Sequence, residues 1–265
     1  MKAFLARTKS IMRLRLIFTN VLQYVFKVIT FQRSPRQIWS RLHPKLYWTL
    51  HSKSIQREFL SDFKGKSGIT VGGSIRGEAQ KYLNKANVVN VDSIPDFYGQ
   101  ATNADYLTDA SNLYFANDGQ YDFVCSSHVL EHLTNPIKAL KEWMRVINDD
   151  GVICCVVPDK RFNPDHKRKR TTLEHLISDY ERDVGAFDAT HLSDILQNTD
   201  LRMEHYSKEY YSKYVSSYLT SKAGTGQPHH HVFTLEDVKA LFKYVGLKAP
   251  ALLIGDSIHV IGRKA

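Results

Sequence analysis

The stretch from Tyr121 to Pro158, YDFVCSSHVLEHLTNPIKALKEWMRVINDDGVICCVVP, decides the fold. Two short apolar runs within it, Tyr121–Ser126 and Val152–Val157, are typical of strands buried inside a parallel sheet. Between them, Pro136–Val146 places apolar residues at steps of three and four, which predicts an amphipathic helix. The turn residues Asn148-Asp149-Asp150-Gly151 introduce the second strand. The segment therefore predicts one strand–helix–strand unit of a parallel sheet.

The same alternation continues on both sides of this unit. It predicts strands at Gly68–Val71, Asn87–Val91 and Asp105–Leu107, a helix at Glu78–Leu83, a helix at Leu235–Val245 between a Thr234 cap and a Gly246 stop, and a closing hairpin of Leu252–Ile254 and His259–Gly262. We therefore expect an α/β protein whose Rossmann-like, doubly wound, mostly parallel sheet ends in an antiparallel hairpin.

Length and charge indicate one such domain with a basic appendage. Residues 1–58 contain twelve Lys or Arg and one acid, Glu58, whereas the other residues carry 24 bases and 26 acids. Because the positive charge belongs to the appendage, the basic pI does not argue for a nucleic-acid partner. We predict a basic amphipathic helical arm over residues 1–62 and a domain over 63–265, with residues 160–230 as a helical insertion or lid.

The arm has an apolar stripe over residues 11–31 flanked by Lys and Arg. Its uncharged part is too short to span a bilayer. Two interpretations stay open: the helix lies on an anionic membrane surface, or it packs against the domain. A mitochondrial presequence is a third. The three cysteines, Cys125, Cys154 and Cys155, fall in predicted strands, which indicates free buried thiols and a reducing compartment. We expect a cytoplasmic protein, with peripheral membrane association as the alternative.

Two motifs carry a resemblance to a known family. The segment Ser126–Leu133, SSHVLEHL, resembles the end of the fourth strand and the following helix start in class I S-adenosylmethionine-dependent methyltransferases, particularly the small-molecule "type 11" group. Asp109–Phe115, DASNLYF, is similar to that group's D-A-x-x-L-P-F segment. The resemblance runs from about Gly68 to Pro158 and resumes at the last helix and hairpin. It implies S-adenosylmethionine as the cofactor.

The first loop departs from the family pattern of an acid followed by G-x-G-x-G. Here Thr70 replaces the acid and Ser74 replaces a glycine, whereas Gly72 and Gly73 still permit close backbone approach to a ligand. The resemblance implies that Gly72, Gly73 and Ser74 contact the cofactor, and the departure leaves open that cofactor binding is lost.

Four further positions fall where a doubly wound sheet binds its ligand, at the carboxyl ends of strands. We expect Asp92 to accept hydrogen bonds from the ribose hydroxyls, and Asp109 with the Ala110 backbone N–H to hold the adenine. The structural alternatives are a turn at Asp92 and a helix N-cap at Asp109. Ser126 and Ser127 would line the methionine end of the cofactor.

An oxygen acceptor needs a general base. We rank His128, which follows the fourth strand, first, because histidine as a residue type ionises near working pH. Asp159, which follows the fifth strand, is second, and Asp165 and the run His229-His230-His231 are further candidates. For Glu131 and His132 we favour structural roles. We predict no metal, because the consecutive His229, His230 and His231 do not converge on one ion and no acidic partner lies near them in sequence.

The basic run His166–Arg170 would either hold an anionic acceptor or form a solvated face. Together these features predict an S-adenosylmethionine-dependent methyltransferase that O-methylates a small-molecule or glycan-like acceptor. The glycan element rests on the resemblance. The alternative is a catalytically inactive methyltransferase-like scaffold anchored by its arm. A nicotinamide-dependent dehydrogenase is disfavoured because G-x-G-x-x-G is incomplete.

Overall fold

The structure is a computed structural model, and it describes residues 63–72, 83, 85–97, 100–185, 188–201, 203, 209, 212, 228–254 and 256–265. The predicted arm, Gly73, Ser74 and nearly all of the predicted Glu78–Leu83 helix lie outside these residues, so those expectations stay predictions. Within the described residues, no helix has the length and apolar character needed to cross a membrane.

One sheet of eight strands dominates the described residues. The strands of the chain are β1 Ser67–Val71, β2 Asn87–Asp92, β3 Asp96–Phe97, β4 Gln100–Ala101, β5 Tyr106–Leu107, β6 Tyr121–Ser127, β7 Ile147–Pro158, β8 Leu247–Lys248, β9 Ala251–Ile254 and β10 Ser257–Lys264. Seven of them follow the order β5-β2-β1-β6-β7-β10-β8, β9 pairs with β10, and β3 and β4 form a separate pair.

The sheet is doubly wound, as the sequence predicts. The chain adds β2 and β5 on one side of β1, and then β6 and β7 on the other, all in parallel. The order therefore reverses between β1 and β6, which is the switch point where such sheets bind ligands. The predicted closing hairpin is also present, because β10 pairs antiparallel with β9 and with β7.

Helix α1 (Pro136–Val146) has the predicted bounds, and the sequence sets both ends. Asn135 caps it by accepting a hydrogen bond from the Lys138 N–H, and Pro136 occupies the first turn, where its missing N–H costs nothing. The apolar face of α1 is buried against the sheet and includes Trp143. The fold thereby fixes the position of the chain that leads into α1, directly after β6.

The predicted turn at Asn148–Gly151 lies inside a strand, and the strand prediction at Val152–Val157 was too short. β7 begins at Ile147, which pairs with Tyr121, and regular pairing resumes only at Val152 opposite Phe123. Four residues of β7 lie between these two pairs, opposite the single residue Asp122 of β6, so β7 is three residues longer there and the pairing is irregular.

The described part of the insertion is helical only in places. It contains short 3-10 turns at Lys160–Phe162 and Pro164–Lys167, then α2 (Leu173–Glu181) and α3 (Leu192–Asn198). The turns are tied to the segment before the last helix, because the Lys160 N–H donates to the Phe233 carbonyl. The role of the insertion as a lid stays a prediction.

The last helix, α4 (Leu235–Tyr244), begins as predicted. Both the backbone N–H and the hydroxyl of Thr234 donate to the Asp237 carboxylate. Gly246 follows the helix with a φ of 89°, the left-handed conformation of a helix stop. The three cysteines are free and buried in β6 and β7, as expected. The compartment inferred from them stays a prediction.

Candidate functional site

The predicted site positions meet at one edge of the sheet. Val71, the last residue of β1, pairs with Val91 on one side and with Ser126 on the other. Asp92 pairs in turn with Leu107 at the end of β5. The carboxyl ends of four neighbouring parallel strands therefore lie side by side, which brings the backbone at Gly72, Asp92, Asp109 and Ser126 to one edge.

Gly72 is required by the local packing. Its φ is 88°, and a Cβ atom there would lie 2.2 Å from Cγ2 of Val129. A side chain would thus meet both backbone strain and overlap. The close approach of the β1 loop to the segment after β6 leaves the Gly72 backbone exposed at the crevice.

Asp92 ends β2 with its carboxylate at the crevice edge. Its Oδ1 accepts a hydrogen bond from the Ile94 N–H at 3.2 Å, which is the turn interaction that the sequence offers as an alternative to ribose binding. Burial raises the pKa of Asp92, although the backbone N–H groups of Ile94 and Ser93 act in the opposite direction. A half-buried carboxylate at this position can accept further hydrogen bonds, and the ribose contact stays a prediction.

The segment Asp109–Phe115 is held in place by α1. The indole N–H of Trp143 donates to the Ala110 carbonyl at 2.9 Å, and Glu142 accepts from the Leu113 N–H at 2.8 Å. A turn rather than a helix follows Asp109, whose Oδ1 accepts from both the N–H and the hydroxyl of Ser111. The helix-cap alternative is therefore replaced by a turn, and the buried Ala110 is fixed at the sheet edge.

The two serines of β6 lie in different environments. Ser126 is buried, and its hydroxyl lies beside the Cys155 thiol of the neighbouring strand. Ser127 is half-buried. Because successive residues of a strand point to opposite faces, the two side chains do not line one wall of the crevice together.

His128 adopts a strained conformation directly after β6. Its φ is 55°, which is uncommon for a residue other than glycine, and its backbone N–H donates to the Val156 carbonyl. The side chain is 50% exposed, and its Nδ1 lies 3.4 Å from Oε1 of Glu131. An exposed imidazole at the carboxyl end of a central strand is thus placed against a carboxylate.

Glu131 has an unusual environment, a buried carboxylate surrounded by histidines. The sequence interpretation of it as a structural residue at a helix start did not predict this environment. The side chain is buried, and neither oxygen has a hydrogen bond of ordinary geometry within the described residues. Burial alone would raise the pKa of Glu131, but the neighbouring His128, His132 and His229 lower it below its usual value. The carboxylate is therefore held ionised by imidazoles on several sides.

A second carboxylate extends this group into the insertion. Nδ1 of His229 lies 2.5 Å from Oδ2 of Asp165, and Nε2 of His229 lies 4.0 Å from Glu131. Burial would lower the pKa of His229, but the hydrogen bond and charge of Asp165 outweigh it and raise the pKa. Asp165 and His229 stand 64 positions apart, so no local pattern could have paired them.

Asp159 has a different environment from the one that a general base needs. Its side chain is fully buried, and its two oxygens accept from Nε and Nη2 of Arg161 at 2.9 and 2.6 Å. The Arg161 N–H also donates to Oδ1. With both oxygens engaged in an ion pair, the carboxylate caps the 3-10 turn after β7 in this structure.

The basic run His166–Arg170 is largely neutralised by acids of this chain. Lys167 lies 3.1 Å from Asp200, and Arg170 lies 3.2 Å from Asp237. Arg168 is buried among Asp165, Asp194 and two backbone carbonyls. The charges of these three residues are thus already paired within the chain, and the interpretation of the run as an anion-binding surface stays a prediction.

The three consecutive histidines diverge, as expected, and each lies near an acid that is distant in sequence. His229 contacts Asp165, His230 lies 3.2 Å from Asp188, and His231 approaches Asp179. These acids come from three other parts of the insertion. The sequence hides them because the partners are brought together only by the fold.

Comparison with known proteins agrees with this geometry. A family model described as "methyltransferase domain" matches residues 19–206, which is most of the chain. The chain belongs to this methyltransferase family. The expectation from the SSHVLEHL and DASNLYF motifs is thereby confirmed, and S-adenosylmethionine is the cofactor that the family match supports. Among curated proteins, none matches the sequence.

Several solved structures resemble this methyltransferase at low identity. A S-adenosylmethionine-dependent methyltransferase from Aquifex aeolicus is 14% identical, with 79% of this chain and 87% of that chain covered and a TM-score of 0.42. The 1,6-didemethyltoxoflavin-N1-methyltransferase from Burkholderia thailandensis, with bound 1,6-didemethyltoxoflavin and S-adenosylhomocysteine, is 11% identical, with coverages of 88% and 91% and a TM-score of 0.43. A protein from Rhodobacter sphaeroides described as a putative zinc-dependent alcohol dehydrogenase is 17% identical, with coverages of 79% and 88% and a TM-score of 0.49. The family assignment rests on the family match and not on these structures.

Proposed function

We propose that this methyltransferase transfers a methyl group from S-adenosylmethionine to an oxygen of a small-molecule or glycan-like acceptor, with His128 as the general base. The observation that carries the proposal is the strained, exposed His128 at the end of β6, with its Nδ1 3.4 Å from the buried carboxylate of Glu131. Strained backbone of this kind clusters at functional sites.

In this proposal, residues at the carboxyl ends of the strands bind the methyl donor, S-adenosylmethionine. The Asp92 carboxylate accepts hydrogen bonds from the ribose hydroxyls, the Asp109–Ala110 turn borders the adenine, and the exposed Gly72 backbone approaches the methionine part. Their support is the pairing register, which sets these positions on adjacent strands at the switch point. Gly73, Ser74 and Ser127 stay predictions as further contacts.

The His128 imidazole acts on the methyl acceptor. When Nδ1 of His128 donates to Glu131, Nε2 carries the lone pair and accepts the proton of the acceptor hydroxyl. The oxygen then attacks the sulfonium methyl group in line: the O–CH₃ bond forms, the C–S bond breaks, and S-adenosylhomocysteine leaves. Glu131 stabilises the imidazolium that results, so it acts as a positioning residue. Asp159 is the second candidate base and would first have to leave Arg161.

The test is methyl transfer from labelled S-adenosylmethionine into a metabolite or glycan extract, followed by mass spectrometry of the labelled product. We expect His128→Ala to lower the turnover about 100-fold or more, since a positioned base contributes roughly 10²–10⁴. Glu131→Gln should shift the pH profile and lower kcat more than it changes KM. Glu236→Gln, the same change at an exposed acid of α4, is the matched control.

Three results would argue against the proposal. Product carrying the methyl group on nitrogen or carbon would remove the need for a hydroxyl base. Full turnover by His128→Ala would assign the proton to another group. No labelled product together with no binding of S-adenosylmethionine would favour the inactive scaffold.

A further inference from the structure

Four metal-ligating side chains meet in the insertion, outside the proposed catalytic group. His175 and Asp179 stand four residues apart on α2, so they share one face of that helix. His191 precedes α3, and His231 lies just before the Thr234 cap of α4. We call these four residues the His175 cluster. They join three separate elements of the chain.

The atoms of the cluster are close enough to share an ion. Nε2 of His175 lies 2.8 Å from Nε2 of His191 and 3.0 Å from Oδ2 of Asp179, and Nε2 of His231 lies 3.9 Å from the same oxygen. One ligand atom from each residue lies within 4.8 Å of every other. Tetrahedral ligands about 2.0–2.2 Å from Zn²⁺ stand roughly 3.3–3.5 Å apart, so small side-chain adjustments suffice.

Without an ion, the His175 cluster has few hydrogen bonds for a group of buried polar side chains. Asp179 and His231 are almost fully buried. Nε2 of His231 lies 3.3 Å from the Thr134 carbonyl, whereas its Nδ1 has no hydrogen-bond partner within the described residues. Two imidazole nitrogens 2.8 Å apart can share only one proton. Buried polar groups normally have partners, so the arrangement calls for a group that accepts several lone pairs at once.

The carboxylate of the cluster is oriented toward the histidines. Nη2 of Arg182 donates to Oδ1 of Asp179 at 2.7 Å, which leaves Oδ2 facing His175 and His231. Arg182 thus orients the carboxylate as an outer-shell partner does.

We propose that His175, Asp179, His191 and His231 bind one divalent transition-metal ion, with Zn²⁺ as the best fit. Three imidazoles and one carboxylate suit Zn²⁺ and exclude Ca²⁺ and Mg²⁺, which prefer oxygen ligands. Four protein ligands leave no open position, so the site is structural. It ties α2, α3 and the approach to α4 together, and thereby sets the position of His229 in the proposed catalytic group.

Two neighbouring groups of three are less suited. Asp188, His191 and His230 also lie within ligand distance of one another. Oδ2 of Asp188 is, however, already engaged by Thr190 and His230, and the set offers one ligand fewer. Glu131, His132 and His229 form the other group, but Nδ1 of His229 is bound to Asp165.

The experiment measures metal in the full-length protein, purified with a tag that contains no histidine. Zn²⁺ is added, excess is removed by dialysis, and the metal is counted by inductively coupled plasma mass spectrometry. We expect about one Zn²⁺ per chain and a rise in Tm when Zn²⁺ is added to chelator-treated protein. Co²⁺ in its place should give the visible absorption of a tetrahedral site.

Variants locate the ion. His175→Gln changes a partly exposed side chain, and Asp179→Asn keeps the shape of the carboxylate; both should reduce bound Zn²⁺ about tenfold or more, whereas His166→Gln keeps it. Circular dichroism shows whether each variant is folded. Wild-type protein that retains less than about a tenth of an equivalent overturns the proposal. So does full Zn²⁺ retention by both folded cluster variants, which would place the ion elsewhere.

Discussion

Nη1 of Arg168 donates to Oδ1 of the buried Asp165 at 3.1 Å and to the carbonyl of His229 at 2.6 Å. The Arg168 guanidinium thus links Asp165 to His229, the two residues that join Glu131 to the insertion. Its Nη2 also donates to the carbonyl of His230, and its Nε to Asp194 at 2.8 Å. Arg168 therefore sets the conformation of the histidine segment from inside the protein.

We predict that Arg168→Met destabilises the protein by about 3–5 kcal/mol, because it leaves a buried carboxylate and two carbonyls without their donor. Arg170→Met is the matched control, since its partly exposed pair with Asp237 is worth at most about 1 kcal/mol. Urea unfolding at pH 7 measures both. Equal losses for the two variants would mean that Arg168 does not organise this region.

Gly72 offers a separate test of how closely the β1 loop approaches Val129. Gly72→Ala should cost about 2–4 kcal/mol, from its left-handed φ and from overlap with Val129. Gly246→Ala has nearly the same φ of 89° but meets only Cε of Met144 at 3.8 Å, so it should lose only the smaller backbone part.

The overlap can be isolated by adding Val129→Ala. The double variant Gly72→Ala/Val129→Ala should be less destabilised than the two single losses combined, because the smaller residue makes room for the new methyl group. Strict additivity in thermal and urea unfolding would instead show that the two residues do not touch.

Acid should destabilise the fold through half-buried histidines that are neutral at pH 7. Burial lowers the pKa of His132 and His259 to about 4, below the ordinary value of 6.5. The unfolded chain then binds more protons than the folded protein between pH 6.5 and 4, so stability is full above pH 6.5 and is lost as pH falls through this window. His259→Gln should remove about 1–2 kcal/mol of the loss at pH 5. An unchanged pH dependence in this variant would contradict the assignment.

The fold was predictable where local patterns decide it. The apolar run of β6, the Asn135–Pro136 start of α1 and the Thr234 cap of α4 all carry their signals within a few residues. The extra residues 148–151 inside β7 were not predictable, because turn residues in a strand irregularity look the same as turn residues between elements. Register with a partner strand is not a local property.

The candidate site divides in the same way. Asp92 and His128 follow apolar strands, so their position at the sheet edge could be predicted from sequence. The partners that give the site its electrostatics could not, since Glu131, Asp165 and His229 meet only through the insertion. The four-residue spacing of His175 and Asp179 within the predicted helical insertion was the one available signal for the His175 cluster. It gained significance only once the fold placed His191 and His231 beside them.

The measurement that tests the central claim most directly is isothermal titration of the full-length protein with S-adenosylmethionine. The account predicts micromolar binding that Asp92→Ala weakens about tenfold or more, since the carboxylate loses its hydrogen bonds to the ribose hydroxyls. Asp150→Ala, which removes an exposed acid near the start of β7, away from the carboxyl ends of the strands, should bind as the wild type does. Absence of binding, or equal binding by Asp92→Ala, would contradict a cofactor site at the ends of β1, β2 and β6.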